Sequence, residues 1–282
     1  MASISDRESR EIEAANASGN TPVVLIHGLW LLASSWANWA QFFTEAGYTP
    51  LTPDWPGDPA TVADARANPS VFANVTLKQA ADHTTEVINR LDKKPVIMGH
   101  STGGLVAQML AGRGLSAVTV AIDPGVFRGV LPLPLVVLKG LGPFLIDPRT
   151  RSRALTLTFD QFKFSWANAL DEKEARELYD TYHVAASGIA LAQMGNANLN
   201  PWTEAKVDTR NPDRGPLLIT GGEKDHTVPW AIANAAYKRQ RHNPGVTEIV
   251  KIPNRGHALT IDHGWREVAQ TALDFVKRQA SG

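Results

Sequence analysis

The sequence predicts an α/β fold: a mostly parallel, doubly wound sheet. Two observations carry that prediction. Short, continuous apolar runs rich in Val, Ile and Leu recur along the chain without alternation, as strands buried on both faces require. Between them lie segments with apolar residues at three- and four-residue spacing, which read as amphipathic helices. Strand and helix in alternation imply right-handed crossovers between parallel neighbours.

The elements follow in order. PVVLIHG (22–28) is the first strand. SWANWAQFFTEAG (35–47) places Trp36, Trp39, Phe43 and Ala46 on one helical face. A weaker strand lies within TPLTPDWPG (49–57), and a helix within LKQAADHTTEVINRLD (77–92). PVIMGHS (95–101) and AVTVAIDPG (117–125) are strands flanking the helical GGLVAQMLAGRG (103–114). PLLITGGEKD (216–225) and TEIVKIPNRGH (247–257) are the last two strands, and WREVAQTALDFVKRQ (265–279) closes the chain as a helix.

One interval breaks this rhythm. After AIDPG, roughly 90 residues pass without a clear strand, where a crossover needs far fewer. The interval has helical pieces of its own: LPLVVLKGLG, TFDQFKFSWANAL, DEKEARELYDTYH and ASGIALAQMG. The expected organisation is a polar N-terminal segment (1–20), a core formed by 21–125 and 215–282, and a helical cap (126–214) inserted before the strand that carries the acid. Such a cap lies over the sheet edge where α/β folds bind ligands.

Composition narrows the function. Lys+Arg and Asp+Glu are both 28, so the formal net charge is zero, and nothing suggests an electrostatic hold on nucleic acid. Cysteine is absent, which excludes disulfides, thiolate metal sites and a cysteine nucleophile. The first 20 residues lack the apolar stretch of a secretory signal. No run reaches the ~18 apolar residues of a membrane span. A soluble cytoplasmic protein, monomer or homodimer, is expected.

Gly99-His100-Ser101-Thr102-Gly103 is a G-x-S-x-G with a strand before it and a helix after it. A strand that turns sharply into a helix thrusts the central side chain above the sheet, and only residues without a Cβ fit on either side of the bend. A serine hydroxyl needs a base within reach, and the base needs an orienting acid. Asp225, in a Gly-rich loop after one strand, and His257, after Gly256 at the end of the next, supply both. Glu223 and Asp123 are alternative acids, and His226 and His263 alternative imidazoles. His226 is expected to face solvent and His263 to cap the last helix. His83, His183 and His242 have no motif around them and read as surface or packing residues. His27-Gly28-Leu29-Trp30 ends the first strand, and its glycine lets the backbone approach the reacting centre.

With these pieces in order, the chain resembles the α/β-hydrolase superfamily over about residues 20–279. The resemblance implies Ser101 as nucleophile, Asp225 as acid and His257 as base, with the Leu29 and Thr102 amides as an oxyanion hole. A serine in the elbow separates the chain from the aspartate-bearing haloalkane dehalogenase and epoxide hydrolase branches. The single-glycine HGLW is similar to the lid-bearing esterases, lactonases and cofactor-free haloperoxidases, and GHSTGG recurs in the last group. The family usually begins with two antiparallel strands, for which the polar first 20 residues offer no alternating run. Those strands are expected to be missing, leaving about six parallel ones.

The implied activity is cleavage of carboxylic esters or lactones of small apolar substrates through an acyl-enzyme, with no metal or organic cofactor needed. Trp30 and His100 are the expected substrate-binding residues. Perhydrolysis with halide oxidation, C–C bond hydrolysis, hydroxynitrile cleavage and a ligand-sensing receptor use the same constellation and stay open.

Overall fold

A computed structural model describes residues 3–280. The ends of the expected outer segments, 1–2 and 281–282, lie outside the described residues. The elements run α1 (Asp6–Ser18), β1 (Pro22–Ile26), α2 (Ala37–Glu45), β2 (Thr49–Leu51), α3 (Val62–Ala67), α4 (Leu77–Ile88), β3 (Val96–His100), α5 (Thr102–Gly112) and β4 (Val118–Ile122). The long interval holds α6 (Leu135–Ile146), β5 (Ala154–Leu155), α7 (Phe159–Ser165), α8 (Glu172–Tyr182), β6 (Ala186–Ser187) and α9 (Gly188–Gly195). The chain then returns through β7 (Leu217–Gly222), α10 (Trp230–Gln240), β8 (Thr247–Ile252) and α11 (Trp265–Ala280).

The main sheet has six strands in the order β2-β1-β3-β4-β7-β8, and every pairing is parallel. Because side chains alternate along a strand, each strand feeds two cores. Val23 and Leu25 of β1, with Val96 and Met98 of β3, pack against Trp39 and Phe43 of α2 and Phe275 of α11. Val24, Ile26 and Ile97 point the other way, against Leu77 of α4, Leu105 of α5 and Ile232 of α10. Burying each of these large side chains stabilises the fold by roughly 1.5–3 kcal/mol. All eleven residues of α5 are buried, so this helix is the axis of one layer rather than a surface helix.

The two antiparallel strands expected to be missing before β1 have no counterpart among the described residues, where an α-helix precedes it. Ser5 caps α1 and exchanges hydrogen bonds with Glu8 in a capping box. Ile12 and Ala15 pack into the core, while Glu11 accepts the Thr52 N–H at 2.9 Å and Glu8 the Asp54 N–H at 3.2 Å. The helix thus covers the sheet's otherwise open edge at β2, the side where unpaired backbone groups invite aggregation. One departure is α6, which extends beyond the helical piece LPLVVLKGLG, through Pro143 to Ile146. The proline removes the N–H that the Lys139 carbonyl would accept. The long interval also contains a two-stranded antiparallel ribbon, β5 with β6, too short to read from sequence.

The α1 edge rests on one buried ion pair, Glu8 with His83 at 2.7 Å. Burial works to raise the Glu8 pKa, but hydrogen bonds from His83 and Ser5 outweigh it and bring it to about 2. The hydrogen bond to Glu8 is the main cause of a raised His83 pKa. Glu8 therefore contributes stability above its ordinary 4.5, lost as pH falls toward 2. His83 contributes below its ordinary 6.5, lost as pH rises through its raised value. Glu8→Gln, which keeps a capping acceptor, should lower Tm most between these two ordinary values. The deficit should shrink on both sides in a pH series of thermal melts. A deficit that does not vary with pH would contradict this account.

Candidate active site

Ser101 sits on a bend that the chain holds by contact. Its φ is +56°, a conformation that costs a non-glycine residue about 1–3 kcal/mol. A Cβ on Gly99 would collide with the Gly103 carbonyl, and one on Gly103 with the Ile26 carbonyl. A Cβ on Gly28 would lie 2.8 Å from that of Ser101. These glycines let β1, β3 and α5 converge closely enough to push the Ser101 side chain above the sheet.

The loops after β7 and β8 bring two more groups to it. His257 Nε2 is 2.9 Å from Ser101 Oγ, and His257 Nδ1 is 2.6 Å from Asp225 Oδ2. The other Asp225 oxygen accepts the Thr227 and Val228 amides at 2.6 and 2.8 Å. All three residues are buried. Burial works to raise the Asp225 pKa, but the neighbouring His257 and these hydrogen bonds bring it down to about 2. A carboxylate held at Nδ1 fixes the imidazole so that Nε2 is the acceptor facing the hydroxyl.

Leu29 and Thr102 both line the cavity above Ser101, and among the described residues no backbone acceptor takes either amide. The turn that positions Leu29 is held by a buried pair, His27 with Asp58 at 2.9 Å. Burial works to lower the His27 pKa, yet the Asp58 hydrogen bond and charge outweigh it and raise it. Trp55 adds a hydrogen bond to the His27 carbonyl at 3.2 Å. Sequence reading missed Asp58 and Trp55, because nothing in a loop between two strands signals which strand end it will brace.

Trp30 lines the cavity and donates its indole N–H to the Leu155 carbonyl at 2.9 Å. His100, expected at the substrate, is a correction. It is fully buried and absent from the cavity wall, its ring centroid 4.7 Å from that of His257 and 5.5 Å from that of Trp166. The reason is strand geometry: consecutive side chains of β3 leave on opposite sides, so the residue before the nucleophile points behind the base. Burial, and then the His257 imidazole, push its pKa well below 6.5, so the ring is neutral.

The competing residues take other places. His226 donates its Nδ1–H to the Phe164 carbonyl, 2.9 Å away, rather than facing only solvent. His263 pairs with Glu174 at 2.8 Å, and Glu223 accepts the Asn254 amide at 2.9 Å. Asp123 stands beside Asp225 but makes no hydrogen bond to His257. It is fully buried with φ +43°, and one oxygen accepts the Gly222 amide at 3.0 Å. Burial, then the Asp225 charge, push its pKa well above 3.8, toward a neutral acid beside the charged Asp225. Among the described residues, Asp123, Asp225 and His257 are close enough to suggest a metal site. Ligands held ~2.1 Å from an ion, however, sit roughly 3 Å or more apart, and the 2.6 Å His257–Asp225 contact is a shared proton.

The cavity measures about 250 Å³. Its floor is Ser101 and Thr102, and its walls are apolar, with Val137, Leu141 and Leu145 of α6, Leu191 and Met194 of α9, and Ile232 of α10.

Comparison with known proteins places this geometry. The model of a family described as the alpha/beta hydrolase family matches residues 23–271. Among solved structures, a Paleococcus ferrophilus monoacylglycerol lipase has 19% identity and a TM-score of 0.64, over 92% of this chain and 94% of that one. A pyrethroid hydrolase from Sphingobium faniae JZ-2 has 18% identity and a TM-score of 0.65, over 93% and 99%. A thermophilic esterase from Thermogutta terrifontis has 19% identity and a TM-score of 0.64, over 92% and 90%. At these identities the likeness is one of fold. No curated protein matches the chain at the level of sequence.

A buried carboxyl kept neutral has a readable signature. Its raised pKa means that the folded state binds more protons than the unfolded state above 3.8, so its contribution to stability falls as pH rises. Asp123→Asn is neutral at every pH. The Tm of the variant relative to the wild type should therefore climb as pH increases from about 4 to 7. A difference that is flat across this range would show Asp123 to be ionised.

Proposed function

The chain belongs to the alpha/beta hydrolase family, and we propose that it is a serine hydrolase cleaving carboxylic esters or lactones of small apolar substrates. The observation that carries this reading is the unbroken chain Ser101–His257–Asp225, whose serine lies at the floor of an apolar cavity. His257 Nε2 takes the hydroxyl proton as Ser101 Oγ attacks the carbonyl carbon. Nδ1–H stays hydrogen-bonded to Asp225, whose charge stabilises the imidazolium. The Leu29 and Thr102 amides receive the oxyanion, and each such donor typically contributes about 3 kcal/mol to the transition state. His257 then returns the proton to the leaving alkoxide. Water, activated the same way, attacks the acyl-enzyme and frees Ser101.

Residues 126–214 act as the cap in this reading, since this segment, with α6 and α9 in it, supplies most of the cavity lining. The charge they would place on a substrate is nil: no ionisable side chain lines the cavity, which supports neutral acyl groups. The structural relatives named as a lipase, an esterase and a pyrethroid hydrolase are consistent with ester chemistry.

Two measurements test the reading. Ser101→Ala and Asp225→Asn should each lower kcat against an aryl ester by about 10⁴-fold or more, and a fluorophosphonate should label Ser101. Labelling elsewhere, with Ser101 untouched, would refute the assignment. Across a series of aryl esters from acetate upward, kcat/KM should rise by at most about fourfold per buried methylene until the cavity is full. A preference for charged acyl groups would remove the apolar-substrate reading.

A further inference from the structure

The outward face of α6 has the wrong chemistry for a helix in water. A surface helix normally turns a polar stripe to solvent, and here the opposite holds. Val137 and Leu141 are buried inward, while Leu135 is 83% and Ile146 82% exposed. Leu138 and Pro143 are exposed on the same side, and Lys139 is the one charge in the twelve residues. The apolar surface continues into the approach to α6, where Leu131 is 71% and Leu133 56% exposed. Both also line the cavity above Ser101, as does Leu199. One apolar surface therefore runs from the cavity wall, over its rim, and out along α6.

Charge surrounds this surface unevenly. The whole chain balances 28 basic against 28 acidic residues. The stretch 126–165, which contains α6, the turn after it and α7, carries six lysine and arginine residues against two aspartates. Arg128, Lys139, Arg149, Arg151 and Arg153 are all exposed. Of the two acids, Asp147 is already paired with Arg149 at 3.0 Å, and Asp160 lies in α7.

We propose that the α6 face and the cavity rim dock onto an anionic lipid surface. A helix with an apolar outer face and basic neighbours lies in the plane of a bilayer interface, its apolar side chains in the acyl boundary and its cations among the headgroups. A second copy of this chain fits less well, because a twofold contact through the patch would set one basic cluster against the other. No helix among the described residues is long and apolar enough to cross a membrane, so docking is peripheral. The surface then meets the cavity mouth, and acyl chains pass from one to the other; this last step alone rests on the proposed ester hydrolysis.

The test separates binding from turnover. The full chain, and its Ser101→Ala variant, are floated with vesicles of two-to-one phosphatidylcholine–phosphatidylglycerol and with phosphatidylcholine alone. Both proteins should float with the anionic vesicles, several-fold less with the neutral ones, and less again in roughly 0.5 M salt, which screens surface charge. Leu135→Glu/Ile146→Glu and, separately, Arg149→Glu/Arg151→Glu should each reduce flotation at least tenfold. Hydrolysis of a water-soluble aryl acetate should stay within twofold in both, because none of these residues lines the cavity. Absence of flotation with anionic vesicles, or equal flotation of the variants, would overturn the proposal. So would a dimer in sedimentation velocity that Leu135→Glu/Ile146→Glu dissolves, which would assign the face to self-association. Flotation without hydrolysis would leave the docking standing and count against the proposed activity.

Discussion

The site depends on a backbone collision narrowly avoided. Gly99 and Gly103 allow β3 and α5 to fold back on each other and on the end of β1, with no space for a single Cβ at either position. Three hydrogen bonds hold the strained Ser101 in that geometry: its amide to the Ile122 carbonyl at 2.9 Å, and its carbonyl to the Gly125 and Leu105 amides at 2.8 and 3.2 Å. The first two tie the elbow to β4 and the turn after it, the third to α5. The placement of the hydroxyl is therefore set by the spacing of the sheet. Strain of this kind survives only where the surroundings over-determine it. Among the described residues, three of the four non-glycine residues with positive φ are Trp30, Ser101 and Asp123, each past the C-terminal end of a central strand.

Around that elbow, four ionisable groups share a dry volume and divide the charge among themselves. Asp225 keeps its charge because two amides and an imidazole surround it. Asp123, with one amide and a like-charged neighbour, stays neutral. His100, with no hydrogen-bond partner on either ring nitrogen, stays neutral too and serves as packing behind His257. Two carboxyls side by side with opposite protonation is the usual result when environments differ this much. The neutral one adds no second negative charge beside the imidazole.

The legible parts of the sequence were those in which the chemistry is local. Ser101, Asp225 and His257 each follow a short apolar strand within a few residues, so motif and strand end together locate them. The four central strands β1, β3, β4 and β7 read clearly because burial on both faces leaves an uninterrupted apolar run. His100 misled because a residue inside the motif is close in sequence yet faces the other way. The helix α1 was illegible because its interior is polar for a tertiary reason: Glu8 and Glu11 face in, toward backbone donors near β2 and His83 of α4. Asp123 was visible as an acid at a strand end, but only the packing around it decides which of two acids meets the imidazole.

One join between this machinery and the interval from β4 to β7 has a clear physical logic. A helix leaves its last carbonyls without intrahelical donors. At the end of α7 those of Phe164, Ser165 and Trp166 are met by the His226 ring, the Thr227 hydroxyl and the Ala258 amide. Asn168 adds a hydrogen bond to the Lys224 carbonyl at 2.8 Å. The loops that carry Asp225 and His257 thus cap α7, and the same bonds hold those loops in place. The Trp166 ring follows from this, lying edge-on to the His257 imidazole at 4.6 Å between centroids and shielding it from water. The helix end directed at these loops is the negative end of its dipole. By contrast α6 meets the rest of the interval through side-chain packing, with Val137 and Leu141 turned inward. Its sequence is free to change the cavity wall and the outer surface without disturbing the bonds that align Ser101, His257 and Asp225.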